Sequence, residues 1–198
     1  MAVEIIVAYI LDLIVGDPRW LPHPVKGIGW MIAKLEPILR RAFGNSRLCG
    51  IVLAVSVIGI SWYLGFMSIK WASSINRYFG SAISVLIIYF SLAVRDLDVE
   101  SSEVYSSLES GDIILARKKL SLIVGRDTDN LERREVIRAA VETVAENIVD
   151  GIISPLFYAF IGGAPLALAY KAVNTLDSMV GYNNDKYKDI GWASAKID

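Results

Sequence analysis

The sequence is short of several things that protein chemistry usually leans on. Its single cysteine, Cys49, excludes an intramolecular disulfide and any zinc site built on cysteines; set in an apolar run, it reads as a small packing residue. A single histidine, His23, does not make a metal centre. Charge is scarce as well. Only 21% of residues are charged, and 20 basic against 21 acidic side chains leave a net charge of −1, so no basic excess draws the chain to nucleic acid. No alternation of apolar and polar residues marks a strand. The first apolar run carries Glu4 and has neither a basic leader nor a small-residue cleavage pattern, so it is expected to be retained and not processed as a signal.

Apolar residues are what the chain has in excess: 54% of the total, with a mean hydropathy of +0.46. That pattern predicts an all-α, polytopic helical membrane protein, read as one integral-membrane domain over 1–198. The 22 uncharged residues of 48–69 give about 33 Å of helix, enough for a hydrocarbon core about 30 Å thick. Shorter spans are expected at 3–16, where Asp12 must face protein or water, and at 78–94, closed by Arg95 and Asp96. The stretch 151–170 has the length of a span but is broken by Pro155, Gly162, Gly163 and Pro165, which predicts a re-entrant helical hairpin. Lys and Arg number six in 17–47 and eight in 95–147, against two in 70–77. The two basic segments are therefore placed in the cytoplasm, and with a re-entrant hairpin the polar tail 171–198 joins them.

Three polar islands interrupt this apolar background. Segment 95–150 is charged and amphipathic, with helices expected at 97–108, 112–123 and about 130–149. On the last, Glu135, Glu142, Glu146 and Asp150 form one ridge, with Arg138 in reach of Glu135 and Glu142. The ridge is either a solvated helix face or a set of oxygen ligands for a hard cation such as Mg²⁺. Before it, Gly125, Arg126, Asp127, Thr128 and Asp129 offer caps, and Asp129 with Glu132 approximates a capping box; Arg126 is left over to meet a phosphate at the helix N-terminus.

The second island, Gly16 to Lys26, is stiffened by three prolines and holds Asp17, Arg19, His23 and Lys26. It either ends a helix at the membrane boundary or preorganises polar groups against an anionic ligand, with His23 as general base or donor. In the third, Lys171, Asn174, Asp177 or Ser178, and Gly181 share one helical face, and Tyr182 to Tyr187 read as a turn. A snorkelling lysine on a capped helix accounts for the same residues.

The blocks DLIVGDPRWLPHPVKGIG (12–29), GRDTDNLERREVIRAAVETVAENIVDGIISPLFY (125–158) and KAVNTLDSMVGYNNDKYKDIGWASAKID (171–198) together resemble the adenosylcobinamide-phosphate synthase family of cobalamin biosynthesis, the CbiB/CobD family. The resemblance implies a multi-pass inner-membrane ligase with its active site on the cytoplasmic side. Such an enzyme joins adenosylcobyric acid, a corrinoid, to (R)-1-aminopropan-2-ol or its O-phosphate at the expense of ATP. It implies Mg²⁺ at Glu142, Glu146, Asp150 and Asp177, and catalytic work for His23, Glu142 and Glu146. Substrate and phosphate contacts would fall to Asp17, Arg19, Lys26, Arg126, Asp127, Thr128, Arg138, Lys171, Asn174, Ser178 and Tyr182. The lipid bilayer and other cobalamin-pathway enzymes are the implied partners, and nucleic acid is not. Family members run longer with further spans, so the chain reads as a fragment or a shortened member. A transporter or a membrane scaffold is the alternative that the intramembrane acids and broken helices leave open.

Overall fold

The computed structural model describes residues 1–18 and 23–198; Arg19, one of the residues implicated above, lies outside them. Among the described residues every regular element is helical. In chain order these are α1 (Ala2–Val15), α2 (Pro24–Phe43), α3 (Arg47–Ile75), α4 (Arg77–Tyr89), α5 (Val94–Glu109), α6 (Ile113–Leu120), α7 (Arg133–Ile148), a π-helical turn (Val149–Ile153), α8 (Ser154–Val180) and the short α9 (Ser194–Ile197). The α3 helix is long and apolar enough to cross a membrane, and so is the run Arg133–Val180. By contrast α1 and α4, with 14 and 13 residues, reach only about 20 Å, short of a full hydrocarbon core.

The run Arg133–Val180 does not continue straight. Gly163 takes φ 69°, ψ −167°, a backbone region essentially closed to side chains, and the chain folds back there. Tyr158 stacks on Tyr170 at 5.0 Å between ring centroids, although a straight helix would hold them about 18 Å apart. The Tyr170 hydroxyl also donates to Asp150 Oδ1 at 3.4 Å, twenty residues earlier. Pro155 contributes at the other end: lacking an N–H, it leaves the carbonyl of Gly151 without its i+4 partner. That oxygen instead accepts the N–H of Ala93 at 3.0 Å, tying the base of the hairpin to the α4–α5 junction.

Asp12, awkward in an apolar helix, has a structural job. Its Oδ2 accepts the N–H of Val94 at 2.6 Å, capping α5, whose own N-cap residue Ala93 offers no side chain for the purpose. Arg95 reciprocates by donating to the terminal carbonyls of α1, Leu13 and Ile14. The Tyr89 hydroxyl donates to the carbonyl of Gly16 and the Asp17 N–H to Asp96, so these two residues are anchored on α4 and α5.

Three cores result. Ile28 and Ile32 of α2, Leu53 and Val57 of α3, Leu176 and Val180 of α8, and Ile190 form one. Ala8, Ile88, Leu92, Ala159 and Ala167 form a second under the hairpin. Val104, Leu120 and Val136 join α5, α6 and α7 in a third. Large apolar side chains of α1, α3, α4 and the hairpin tip nevertheless face outward, among them Ile14, Val55, Trp71, Tyr78 and Phe160.

The expected helix at 130–149 begins later, at Arg133, with Glu132 as N-cap and Glu135 completing the box; Glu135 Oε2 accepts the Glu132 N–H at 2.8 Å. Thr128 explains the delay. Its hydroxyl donates to the Arg117 carbonyl at 3.0 Å, and the Arg117 Nε donates to the Leu131 carbonyl at 2.7 Å, which pins 128–131 as a turn against α6. The α2 helix was not anticipated; His23 as N-cap and Pro24 in the first turn were its start signal.

Candidate functional site

Three contiguous cavities run along the polar end of the hairpin. The first, about 410 Å³, is lined by Asp17, His23, Lys26, Asp96 and Glu100. The second, about 260 Å³, shares Asp96 and Glu100 with it and adds Asn147, Lys171 and Asn174. The third, about 280 Å³, shares Ile123 and Asn147 with the second and adds Arg126, Glu142, Glu146 and Asp150. Residues from all three islands thus line one groove. Each arrives by a different device: the loop through the Asp12–α5 cap, the ridge through α7, and Lys171 through the hairpin's return limb.

At the first end, His23 is doubly engaged. Its Nδ1 accepts the Val25 N–H at 3.2 Å, capping α2, and its Nε2 lies 3.1 Å from Asp17 Oδ2. The neutral ring therefore carries its proton on Nε2, which lies beside Asp17 but is buried without a hydrogen-bond partner among the described residues, and its one lone pair is taken by the Val25 N–H and not open to act as a base. The Asp17 backbone N–H donates to Asp96 Oδ1 at 3.3 Å, while its Oδ1 is buried without a hydrogen-bond partner among the described residues. Lys26 is exposed on the same cavity.

In the middle, Lys171 is partly buried and pairs with no carboxylate within 4 Å among the described residues. The charges of Asp12, Asp17 and Asp150 act on it from farther off. A cation held this way is a natural counter-charge for an anionic ligand. Asn174 faces the same cavity.

At the far end, Glu142 is a clamp. Arg138 Nε donates to its Oε1 at 2.7 Å and Arg126 Nη2 to its Oε2 at 3.0 Å. Those two hydrogen bonds, Arg138 first, hold the carboxyl below the usual carboxylate range. The α7 N-terminus lies more than two turns from Glu142, so Arg126 folds onto the helix flank and not onto a helix-end phosphate site. Glu146 lines the third cavity beside it.

Fit to a divalent cation separates the acids. Both oxygens of Glu142 are taken by arginines. Among the described residues no three His, Cys, Asp or Glu side chains converge in ligand geometry. A nucleotide-bound Mg²⁺ needs only one or two protein carboxylates; of the remaining acids Asp150 lines the third cavity, and Asp177 is near enough to feel its charge but lines none of the three. The Asp177 carboxyl is pushed up by burial and by the charge of Asp150, and that of Asp198 is pushed up to about 6 by burial and then by Asp150 and Asp177.

Several implicated residues are engaged elsewhere. Thr128 is buried against α6. Asp127 is exposed and accepts the Asp129 N–H. The Ser178 hydroxyl donates to the Asn174 carbonyl, and Tyr182 lines a separate cavity. Asp96, Glu100 and Asn147 were missed; Asp96 and Glu100 at four-residue spacing just past an apolar run were the available signal. A roomier groove of about 740 Å³ between α5 and α7 is apolar and lies on the opposite face of α7.

The family model described as CobD/Cbib protein matches residues 5–198. A cobalamin biosynthesis protein CobD of Geobacter metallireducens is 52% identical over 194 residues, 98% of this chain and 61% of that protein. Its namesake in Clostridium perfringens is 48% identical over 197 residues, 99% of this chain and 62% of that protein. A cobalamin biosynthesis protein CbiB of Salmonella typhi is 48% identical over 195 residues, 97% and 61%. The chain thus spans about three fifths of the length of these relatives. No solved structure matches it.

Proposed function

Because this chain belongs to the CobD/Cbib protein family, we propose that it carries the catalytic groove of an ATP-dependent amide-forming ligase of cobalamin biosynthesis. The reaction joins adenosylcobyric acid to (R)-1-aminopropan-2-ol or its O-phosphate. The observation that carries the reading is the groove itself, which gathers opposite charges in an order that suits the substrates. Its acidic end, with Asp17, Asp96 and Glu100, suits an ammonium, and Lys26 beside it suits that substrate's phosphate. Lys171, in the middle, suits the corrinoid carboxylate, and Arg126 suits nucleotide phosphates.

In this reading the corrinoid carboxylate attacks the γ-phosphoryl of ATP, giving an acyl phosphate and ADP; the amine then attacks the acyl carbon and phosphate leaves. Lys171 neutralises charge on the reacting oxygens. The Asp17–His23 pair, and not His23 alone, takes the proton the amine must lose. Asp150 and Asp177 would hold Mg²⁺, which supplies charge neutralisation on the nucleotide oxygens. The Arg126–Glu142–Arg138 clamp positions Arg126.

We place the groove at the cytoplasmic face of the inner membrane. The outward apolar belt on α1, α3, α4 and the hairpin favours lipid contact. From Asp150 to Phe160 the hairpin descends about 15 Å, half a hydrocarbon core, before returning to Tyr170. That depth supports re-entry over crossing, with α3 as the full span. The polar residues sit at one end of the apolar layer and not through it, which favours a ligase over a transporter. In proteoliposomes the ligase reading expects amide formation without any gradient; gradient-driven flux with no amide would point to transport. Lys186→Cys in sealed vesicles is expected to label from the cytoplasmic side, and labelling from the other face would remove Asp177 from a site shared with Asp150.

A further inference from the structure

A separate cavity of about 280 Å³, sharing no lining residue with the groove, opens beside the tail; Arg47, Tyr182, Asn183, Lys188, Trp192 and Lys196 line it. Its construction follows from spacing. Lys188, Trp192 and Lys196 recur every four residues through the helical turns after Tyr187, so they present one face. Gly191 sits where a Cβ would strike the carbonyl of Val180, which presses these turns against the end of α8. Arg47, the first residue of α3, lies over the Trp192 ring with its guanidinium 5.2 Å from the centroid, which fixes it on the wall and leaves N–H groups free.

The electrostatics are one-sided. Three cations line the cavity and, among the described residues, no carboxylate does. The nearest acid to Arg47 is Asp189, 4.0 Å away and half exposed. Lys188 and Lys196 have no ion-pair partner among the described residues. Three like charges around so small a space repel one another, and an oxyanion with several acceptor oxygens relieves that repulsion while using the Arg47 fork, both ammonium groups and the Asn183 amide. The excess of positive charge suits a phosphate better than a single carboxylate.

We propose that this cavity is a phosphate-binding site distinct from the groove, taking the phosphate of a small soluble ester or of a lipid headgroup. The proposal concerns binding and stands apart from the amide chemistry. It is tested by calorimetry on the chain in neutral detergent with two probes, inorganic pyrophosphate and short-chain phosphatidylglycerol. At least one is expected to bind saturably, more weakly as salt rises. The Lys188→Gln/Lys196→Gln double variant is expected to bind at least about tenfold more weakly. The Lys188→Arg/Lys196→Arg pair should retain binding, which separates lost charge from lost folding, and Lys171→Gln in the groove should leave binding unchanged. Preference for pyrophosphate identifies a soluble source and preference for the lipid a headgroup. Failure of both probes to bind a cooperatively folded chain overturns the proposal, as does binding that survives the double Gln variant or vanishes with Lys171→Gln alone.

Discussion

Replacing Gly163 by alanine tests the chain reversal that delivers Lys171 to Asp150. A Cβ at this position would meet only Pro165 Cδ, at 3.7 Å, an ordinary contact, so steric crowding adds little. The cost is conformational: φ 69° and ψ −167° lie in a region that an L side chain occupies at about 1–3 kcal/mol. A penalty of that size lowers the ratio of folded to unfolded hairpin by about 5- to 150-fold. In a chain of this length it lowers the melting temperature by roughly 2–12 °C. Gly59→Ala is the control, because its Cβ meets nothing within 4 Å in the middle of α3; it should be neutral or gain about 0.5–1 kcal/mol. Thermal unfolding in detergent, followed by near-ultraviolet circular dichroism, reads both, and the Tyr158–Tyr170 stack supplies a local signal. Gly163→Ala melting with the wild type, its tyrosine signal intact, would refute the reversal at this residue.

Other outcomes follow from the same geometry. Asp12→Ala removes the cap on Val94 and should cost about 0.5–2 kcal/mol, read by chemical denaturation, while Asp12→Asn keeps an acceptor oxygen and should cost less. A neutral Asp12→Ala would remove the cross-capping of α1 and α5. Glu142→Gln should release Arg126 and raise the KM for ATP more than it lowers kcat. Since its two arginines hold the Glu142 carboxyl low, the clamp should persist at neutral pH and open only on acidification below the ordinary carboxylate range; an ATP KM indifferent to the substitution would exclude the clamp from nucleotide binding. The raised Asp177 and Asp198 carboxyls keep protons in the folded chain that the unfolded chain has released. Stability from Asp198 therefore falls as pH rises from about 4 to about 6, and the raised Asp177 acts in the same direction. Asp177→Asn should flatten that slope and raise the melting temperature at pH 7, and Mg²⁺ should stabilise the wild type but not this variant; equal Mg²⁺ stabilisation of both would take the cation away from Asp177.

Much of the helical layout was legible because its signals are local. The α3 apolar run, the amphipathic α7 and the breakers at Gly162 and Gly163 announce themselves by periodicity and backbone chemistry. What stayed hidden was long-range. Nothing near Asp12 in sequence says that its carboxylate caps a helix 82 residues later, and Pro155 reads only as a breaker until the Ala93 N–H is found on the freed Gly151 carbonyl. The resemblance put Thr128 among the substrate contacts and its residue type made it a cap, yet it is consumed by α6. His23 looked like a free base, yet its one lone pair caps α2 and its other nitrogen is buried beside Asp17. The ridge follows α7 only as far as Glu146, with Asp150 in the π-helical turn beyond it, and Arg126 turned Glu142 from an open acid into a clamped one. Side-chain competition of this kind is decided by tertiary neighbours, which spacing does not encode.

The most direct test of the groove is mass-spectrometric detection of the amide formed from adenosylcobyric acid, aminopropanol phosphate and Mg-ATP. It should be run on this chain and on a longer relative-length protein, each with and without Lys171→Gln. Amide formed with stoichiometric ADP by the longer form, and reduced about tenfold or more by Lys171→Gln at unchanged expression and melting temperature, is the expected result. Amide formed equally well without the Lys171 ammonium, or none formed by a folded full-length protein that still binds the corrinoid, would contradict the account.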